Sequence, residues 1–200
     1  MEYHMDLLIL LFNEFETLDV FGPVEVLGKL EDISKINFVS LNGGPIISSQ
    51  QVPVITNPIN SFKQASEYIF LIPGGVGTRK EVENEALLET VRRLANGAKF
   101  VLSVCTGAAL LAKAGILDAK KATTNKRSYN WVIQQGLNVN WVKKARWVKD
   151  DNIYTSSGVS AGIDMVLGFI ADNYGTEKAE SIANRIEYIW NKDSAADVFS

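Results

Sequence analysis

Residues 5–12 are apolar at every position but Asp6. An unbroken run of this length, without the alternation of a half-exposed strand, predicts a strand buried on both faces of a parallel sheet. Further strand-like runs fall at 36–41, 68–72 and 99–104. Between them the spacing of apolar positions turns helical, over 23–30 with Pro23 in the first turn, over 85–95 and over 108–114. Strands that alternate with helices across short Gly or Pro punctuation predict a doubly wound α/β sandwich with a mostly parallel sheet and right-handed crossovers. Such sheets bind ligands at the carboxyl ends of their strands. Residues 43–55, GGPIISSQQVPVI, predict a small hairpin excursion, and 146–150 with 152–155 predict a reversal about Asp151. Two helices follow over 161–174 and 177–190, and the polar stretch 193–200, DSAADVFS, is expected to fray. No repeat, linker or low-complexity tract interrupts the pattern.

Composition narrows the function classes. The 200 residues are 46% hydrophobic, enough for one well-filled core, so a single domain over 1–200 is expected, with its core at about 5–190. The net charge is −3, with Lys and Arg scattered rather than clustered, which gives no electrostatic footprint for nucleic acid and favours small-molecule or protein partners. One cysteine forms no internal disulfide. The opening MEYHMDLLILLF lacks a basic segment and a small-residue cleavage site, and its apolar stretch is too short for a bilayer. A cytoplasmic protein without membrane partners is the expectation.

The cysteine carries the chemistry. In FVLSVCTGAALLAKAG a β-branched segment passes into a helix-forming one without a spacer, with Cys105 at the junction. A strand that turns directly into a helix lifts one side chain onto a tight elbow and aims backbone N–H groups at it. The helix N-terminus favours thiolate, so an acidic, nucleophilic thiol is expected, with the N–H groups of Thr106 and Gly107 in the first helical turn steadying an oxyanion. The plain alternative is a buried small hydrophobe. Asp19 projects from the end of the first strand, either as a helix-start carboxylate or as the acid that shares a proton with the sulfur, with Glu16 its rival. In IFLIPGGVGT, Gly74 and Gly75 sit just past another strand, where the Gly75 N–H is expected to face the nucleophile; a plain tight turn uses the same residues. Ser157, Gly158 and Ser160 read as the cap of the next helix, with Gly162 allowing close packing. Trp131, Trp141, Trp147 and Trp190 read as core or interface aromatics, and Arg79 as a solvated loop cation that is also able to neutralise an anionic ligand.

Four blocks, LDVFGPVEVL, LIPGGVGT, SVCTGAALLAKAGILDAKKATT and TSSGVSAGID, resemble in order and spacing the ThiJ/PfpI superfamily, whose fold is related to class I glutamine amidotransferases. The likeness covers about residues 5–190 and is strongest to its isonitrile hydratase group. It implies a flavodoxin-like, doubly wound sandwich with a nucleophile elbow. It also implies a hydro-lyase that adds water to an isonitrile to give an N-substituted formamide, without metal or organic cofactor. The group's working residues fall on Cys105, Thr106 and Asp19, and the resemblance places the 157–158 segment in the pocket and implies a homodimer. Many relatives carry His after the paired threonines of the block that here reads ATTNKRSYNW, where this chain has Asn125. The single histidine, His4, is read as an ordinary exposed residue of the N-terminal fringe, so a Cys–His dyad of the peptidase type requires a base from another subunit. Competing classes are a thiol sensor or stress protein oxidised at Cys105, a cysteine hydrolase or amidase of another substrate, and a ligand-binding module of the kind fused to helix-turn-helix regulators. No basic helical extension appears in the sequence, which counts against direct transcription control.

Overall fold

The computed structural model of the chain describes residues 5–63 and 67–200; His4 lies outside the described residues. An eight-stranded sheet forms the centre, with strand order β3-β4-β2-β1-β5-β6-β10-β9. Its strands are β1 (Met5–Leu10), β2 (Ile33–Ser40), β3 (Gly44–Ile47), β4 (Pro53–Pro58), β5 (Glu67–Ile72), β6 (Phe100–Ser103), β9 (Trp147–Asp150) and β10 (Ile153–Ser156). The five pairings from β4 to β10 are parallel, and only the edge hairpins β3–β4 and β9–β10 are antiparallel. A short parallel ribbon of β7 (Lys121–Ala122) and β8 (Asn140–Trp141) stands apart.

Leu7 to Leu10 and Ile69 to Ile72 have no exposed surface. Because successive side chains on a strand point to opposite faces, this requires cover on both sides of the sheet. The cover comes from α1 (Thr17–Leu27), which packs on α6 (Ala161–Tyr174), itself packed on α7 (Thr176–Arg185), and from α3 (Glu85–Gly97) and α2 (Thr78–Glu81), both packed on α4 (Gly107–Lys113). A single-turn α5 (Tyr129–Val132) follows the ribbon's first strand. Asn84 caps α3 by accepting the Leu87 N–H, as the Asn-x-x pattern at a helix start favours.

The hairpin at 43–55 forms, though as an edge of the main sheet rather than an excursion, since β4 pairs with β2 at Val39 and Ser40. The reversal at Asp151 forms with that residue at φ +52°. Three expectations fail. Pro23 lies in the interior of α1 rather than its first turn; the helix starts six residues earlier, at Thr17, and the missing Pro23 N–H leaves the Asp19 carbonyl without a helical donor. The final helix stops at Arg185 instead of running to 190. The tail does not fray: Arg146 N–H donates to Ser194 O and Asp197 N–H to Lys144 O, both at 2.8 Å or less, and Asp197 is buried. Its backbone is held by the strand-entry loop before β9, a tertiary effect that polarity of composition does not reveal. Trp147 is buried, while Trp131, Trp141 and Trp190 pack half-buried against the core.

Candidate active site

Cys105 stands between β6 and α4 at φ +58°, a left-handed conformation that costs a non-glycine residue roughly 1–3 kcal/mol. Neighbouring segments hold it there. Its N–H donates to Ser157 O at 2.9 Å, and its carbonyl accepts the Thr124 hydroxyl at 2.7 Å. This is the elbow that the strand-to-helix junction predicts, at the carboxyl edge of the sheet. Val159, a β-branched residue at φ +29°, faces it across the cleft mouth, a second strained position in the same site.

Three donors reach the sulfur: the N–H groups of Thr106 and Val159 and the side chain of Asn125. The Asn125 amide is oriented by its own Oδ1, which accepts the Ser128 N–H at 3.0 Å. Thus Asn125 supplies a neutral donor to the sulfur. The thiol is nonetheless not acidic. It is only 6% exposed, and burial followed by the charge of Asp19 pushes its pKa up to about 12, against the direction expected of a helix start. Cys105 does precede the start of α4, but desolvation and the neighbouring acid outweigh the donors that face the sulfur.

Asp19 sits in the first turn of α1 with no exposed surface. Its Oδ2 accepts the Gly74 N–H at 2.9 Å. Its Oδ1 is buried without a hydrogen bond of ordinary geometry, and the Cys105 thiol lies within interaction range of the carboxyl. Burial, opposed by the Gly74 N–H and reinforced by the charge of Glu16, holds the carboxyl well above the usual aspartate range. Acid and thiol therefore form a pair in which double ionisation is disfavoured on both sides. Glu16 is the N-cap residue of α1, is half-buried, and accepts Gln50 Nε2 at 2.9 Å; it acts on Asp19 rather than on the sulfur.

The glycines of the 73–78 turn take other partners than those expected. Gly75, at φ +130°, donates its N–H to Thr106 Oγ1 at 3.0 Å, so it does not face the sulfur. Gly74 N–H is spent on Asp19, and Gly107 N–H on Val104 O. Of the four N–H groups read from the sequence as oxyanion donors or pocket groups, only that of Thr106 reaches Cys105. The Thr106 hydroxyl is turned into the turn, where it meets Gly75 and accepts from Thr78 Oγ1 at 3.1 Å. A Cβ on Gly74 would lie 2.5 Å from Thr106 N and 3.0 Å from Asp19 Oδ2, so the absent side chain is what lets acid, turn and elbow converge.

Ser157 and Gly158 do border the cleft, together with Asn125 and Val159, and the cavity measures about 460 Å³. Ser160 precedes α6 without a side-chain capping bond, and Gly162 packs against Val104. Arg79 lies over the Trp131 ring at 4.7 Å, outside this cleft. The sequence reading missed Val159 as a donor, since nothing marks a valine N–H in a string of residues, and Thr124 as the clamp on the elbow, although the paired threonines were its visible signal. Among the described residues, no group of three or more His, Cys, Asp or Glu gathers as a metal site, and no helix is long and apolar enough to cross a membrane.

A mostly parallel α/β sheet with a cysteine on a strained elbow and a buried acid against it defines a class of thiol-centred sandwich proteins. The chain belongs to the DJ-1/PfpI family, whose description matches residues 5–172. It is similar to an isonitrile hydratase of Pseudomonas putida, with 32% identity over 180 residues, 90% of this chain and 76% of that protein. A deglycase of Pyrococcus horikoshii is 29% identical over 160 residues, 80% of this chain and 93% of that one. Among solved structures, a ThiJ/PfpI family protein from Pseudomonas syringae superposes with a TM-score of 0.84 at 26% identity, covering 94% of this chain and 76% of the other.

Proposed function

We propose that the protein is an isonitrile hydratase that converts an isonitrile and water into an N-substituted formamide. The observation that carries this reading is the buried Asp19 carboxyl, its ionisation disfavoured by burial, set against the Cys105 thiol, in a chain 32% identical to a relative of that name. An isonitrile carbon is nucleophilic until protonated and electrophilic afterwards, so the first need is an acid that keeps its proton near neutral pH. Asp19 gives that proton to the terminal carbon. Sulfur then bonds to the same carbon while the thiol proton passes to the Asp19 carboxylate, which leaves an S-linked thioimidate and a neutral acid again. Water adds to the thioimidate carbon, the C–S bond breaks with the proton returning to sulfur, and the formamide departs. Thr106 N–H, Val159 N–H and Asn125 Nδ2 steady negative charge on sulfur during both passages. Thr106 through its hydroxyl is a positioning residue that fixes the Gly75 turn.

A neutral thiol suits this order of events and disfavours the sensor reading, since oxidation to sulfinic acid starts from exposed thiolate. The test is turnover of a simple alkyl isonitrile followed by NMR detection of the formamide. Cys105→Ala and Asp19→Asn are each expected to abolish it while circular dichroism stays unchanged; turnover retained in either defeats the mechanism. An intact-mass titration with peroxide that oxidised Cys105 readily would favour the sensor instead.

A further inference from the structure

The cleft beside the sulfur carries charge that the hydration chemistry leaves unused. Asn125 and Val159, which both reach the thiol, also line the cleft, so the cavity adjoins the residues that cover the sulfur. Its lining also contains Arg127 and Phe199. Phe199 is 75% exposed, and its backbone is anchored: its N–H donates to Asp197 Oδ1 at 3.0 Å, and Asp197 N–H donates to Lys144 O at 2.7 Å. Arg127 is exposed and, among the described residues, has neither an ion pair nor a hydrogen bond. The neighbouring Lys126 spends its ammonium on Thr123 Oγ1, Thr124 O and Ala145 O, so it adds positive charge without offering a donor. Asp197 and Lys143 act on Lys126 in opposite directions, and neither lines the cleft. The cleft lining thus holds an aromatic residue, two cationic residues and no carboxylate, in a chain whose net charge is −3.

An exposed arginine on a surface is ordinarily just solvated. Here it borders a cavity that shares Asn125 and Val159 with the surroundings of the nucleophile and has an exposed aromatic residue in its lining. We propose that the substrate of this site carries a carboxylate on an apolar substituent, with Phe199 and Val159 packing the substituent and Arg127 pairing with the carboxylate. The proposal rests on the hydratase reading for the identity of the reacting end, but not for the anion.

Two measurements separate those parts. The first uses the thiol alone: alkylation of Cys105 at mildly alkaline pH by iodoacetate and by iodoacetamide, which differ in charge and little in size. The rate ratio of anionic to neutral reagent is expected to fall about tenfold in Arg127→Gln, the loss of one charged hydrogen-bonded pair, and to fall with added salt in the wild type. A ratio that Arg127→Gln leaves unchanged overturns the anion site. The second compares an ω-isocyano carboxylate with its methyl ester as substrates. The acid-to-ester ratio of kcat/KM is expected to drop about tenfold in Arg127→Gln, whereas Phe199→Ala raises KM for both; equal ratios in wild type and Arg127→Gln overturn the proposal. If neither isonitrile is hydrated, the hydratase reading fails while the alkylation ratio still decides the anion site.

Discussion

Asp19 is a carboxyl group whose ionisation the fold disfavours, with a consequence for stability. Its folded pKa lies well above the unfolded value of about 3.9. Folding therefore takes up a proton, and the group's contribution to stability is fully present below about pH 4 and is lost as pH rises through the folded pKa. Asp19→Asn keeps an acceptor for the Gly74 N–H and removes the titration. Its stability relative to wild type is expected to rise by about 1.4 kcal/mol for each pH unit across that window, measured by denaturant unfolding at pH 4, 5.5 and 7; parallel curves would show that Asp19 ionises freely. At this scale the sequence reading named Asp19, Cys105 and Asn125 correctly as neighbours in space. It misjudged the protonation of the thiol, because a helix start is visible in a string of residues and the depth of burial is not.

The turn between β5 and α2 does the work of an additional residue by having none. Gly74 lies against Thr106 N, Thr106 Oγ1 and Asp19 Oδ2 at 2.5, 2.6 and 3.0 Å from a would-be Cβ. Gly74→Ala is expected to push elbow and acid apart, destabilise the fold by about 1–3 kcal/mol and reduce turnover about a hundredfold, as displacement of a reacting group by an ångström does. Thermal unfolding and isonitrile turnover check the two halves separately. Strands were legible because buried parallel strands are unbroken apolar runs, as at 68–72. Helix ends were less so. Pro23 looked like a start signal, but α1 begins at Thr17 and accommodates the proline in its interior, since tertiary packing on α6 outweighs a local preference.

Across the whole molecule, the tail that composition marks as loose is fastened through one buried ion pair. Arg146 donates to Asp164 Oδ2 through Nε at 2.7 Å, and Asp164 Oδ1 accepts the Asn191 N–H at 2.9 Å while its carbonyl accepts Trp190 Nε1. Asp164 thus joins α6, the entry to β9 and the segment after α7. Asp164→Ala leaves the Arg146 charge buried alone and is expected to cost about 3–5 kcal/mol, with hydrogen exchange accelerated first at residues 190–197; exchange that quickens uniformly would place the loss elsewhere. Sequence separation hides this junction, because its partners lie in three elements with no shared motif.

The two bonds that grip Cys105 come from Thr124 and Ser157, both downstream of it in the chain. A polypeptide emerging from the ribosome makes its thiol long before it makes the groups that bend it into shape. The clamp on the elbow therefore closes only once the segments that carry Thr124 and Ser157 have taken their places beside it.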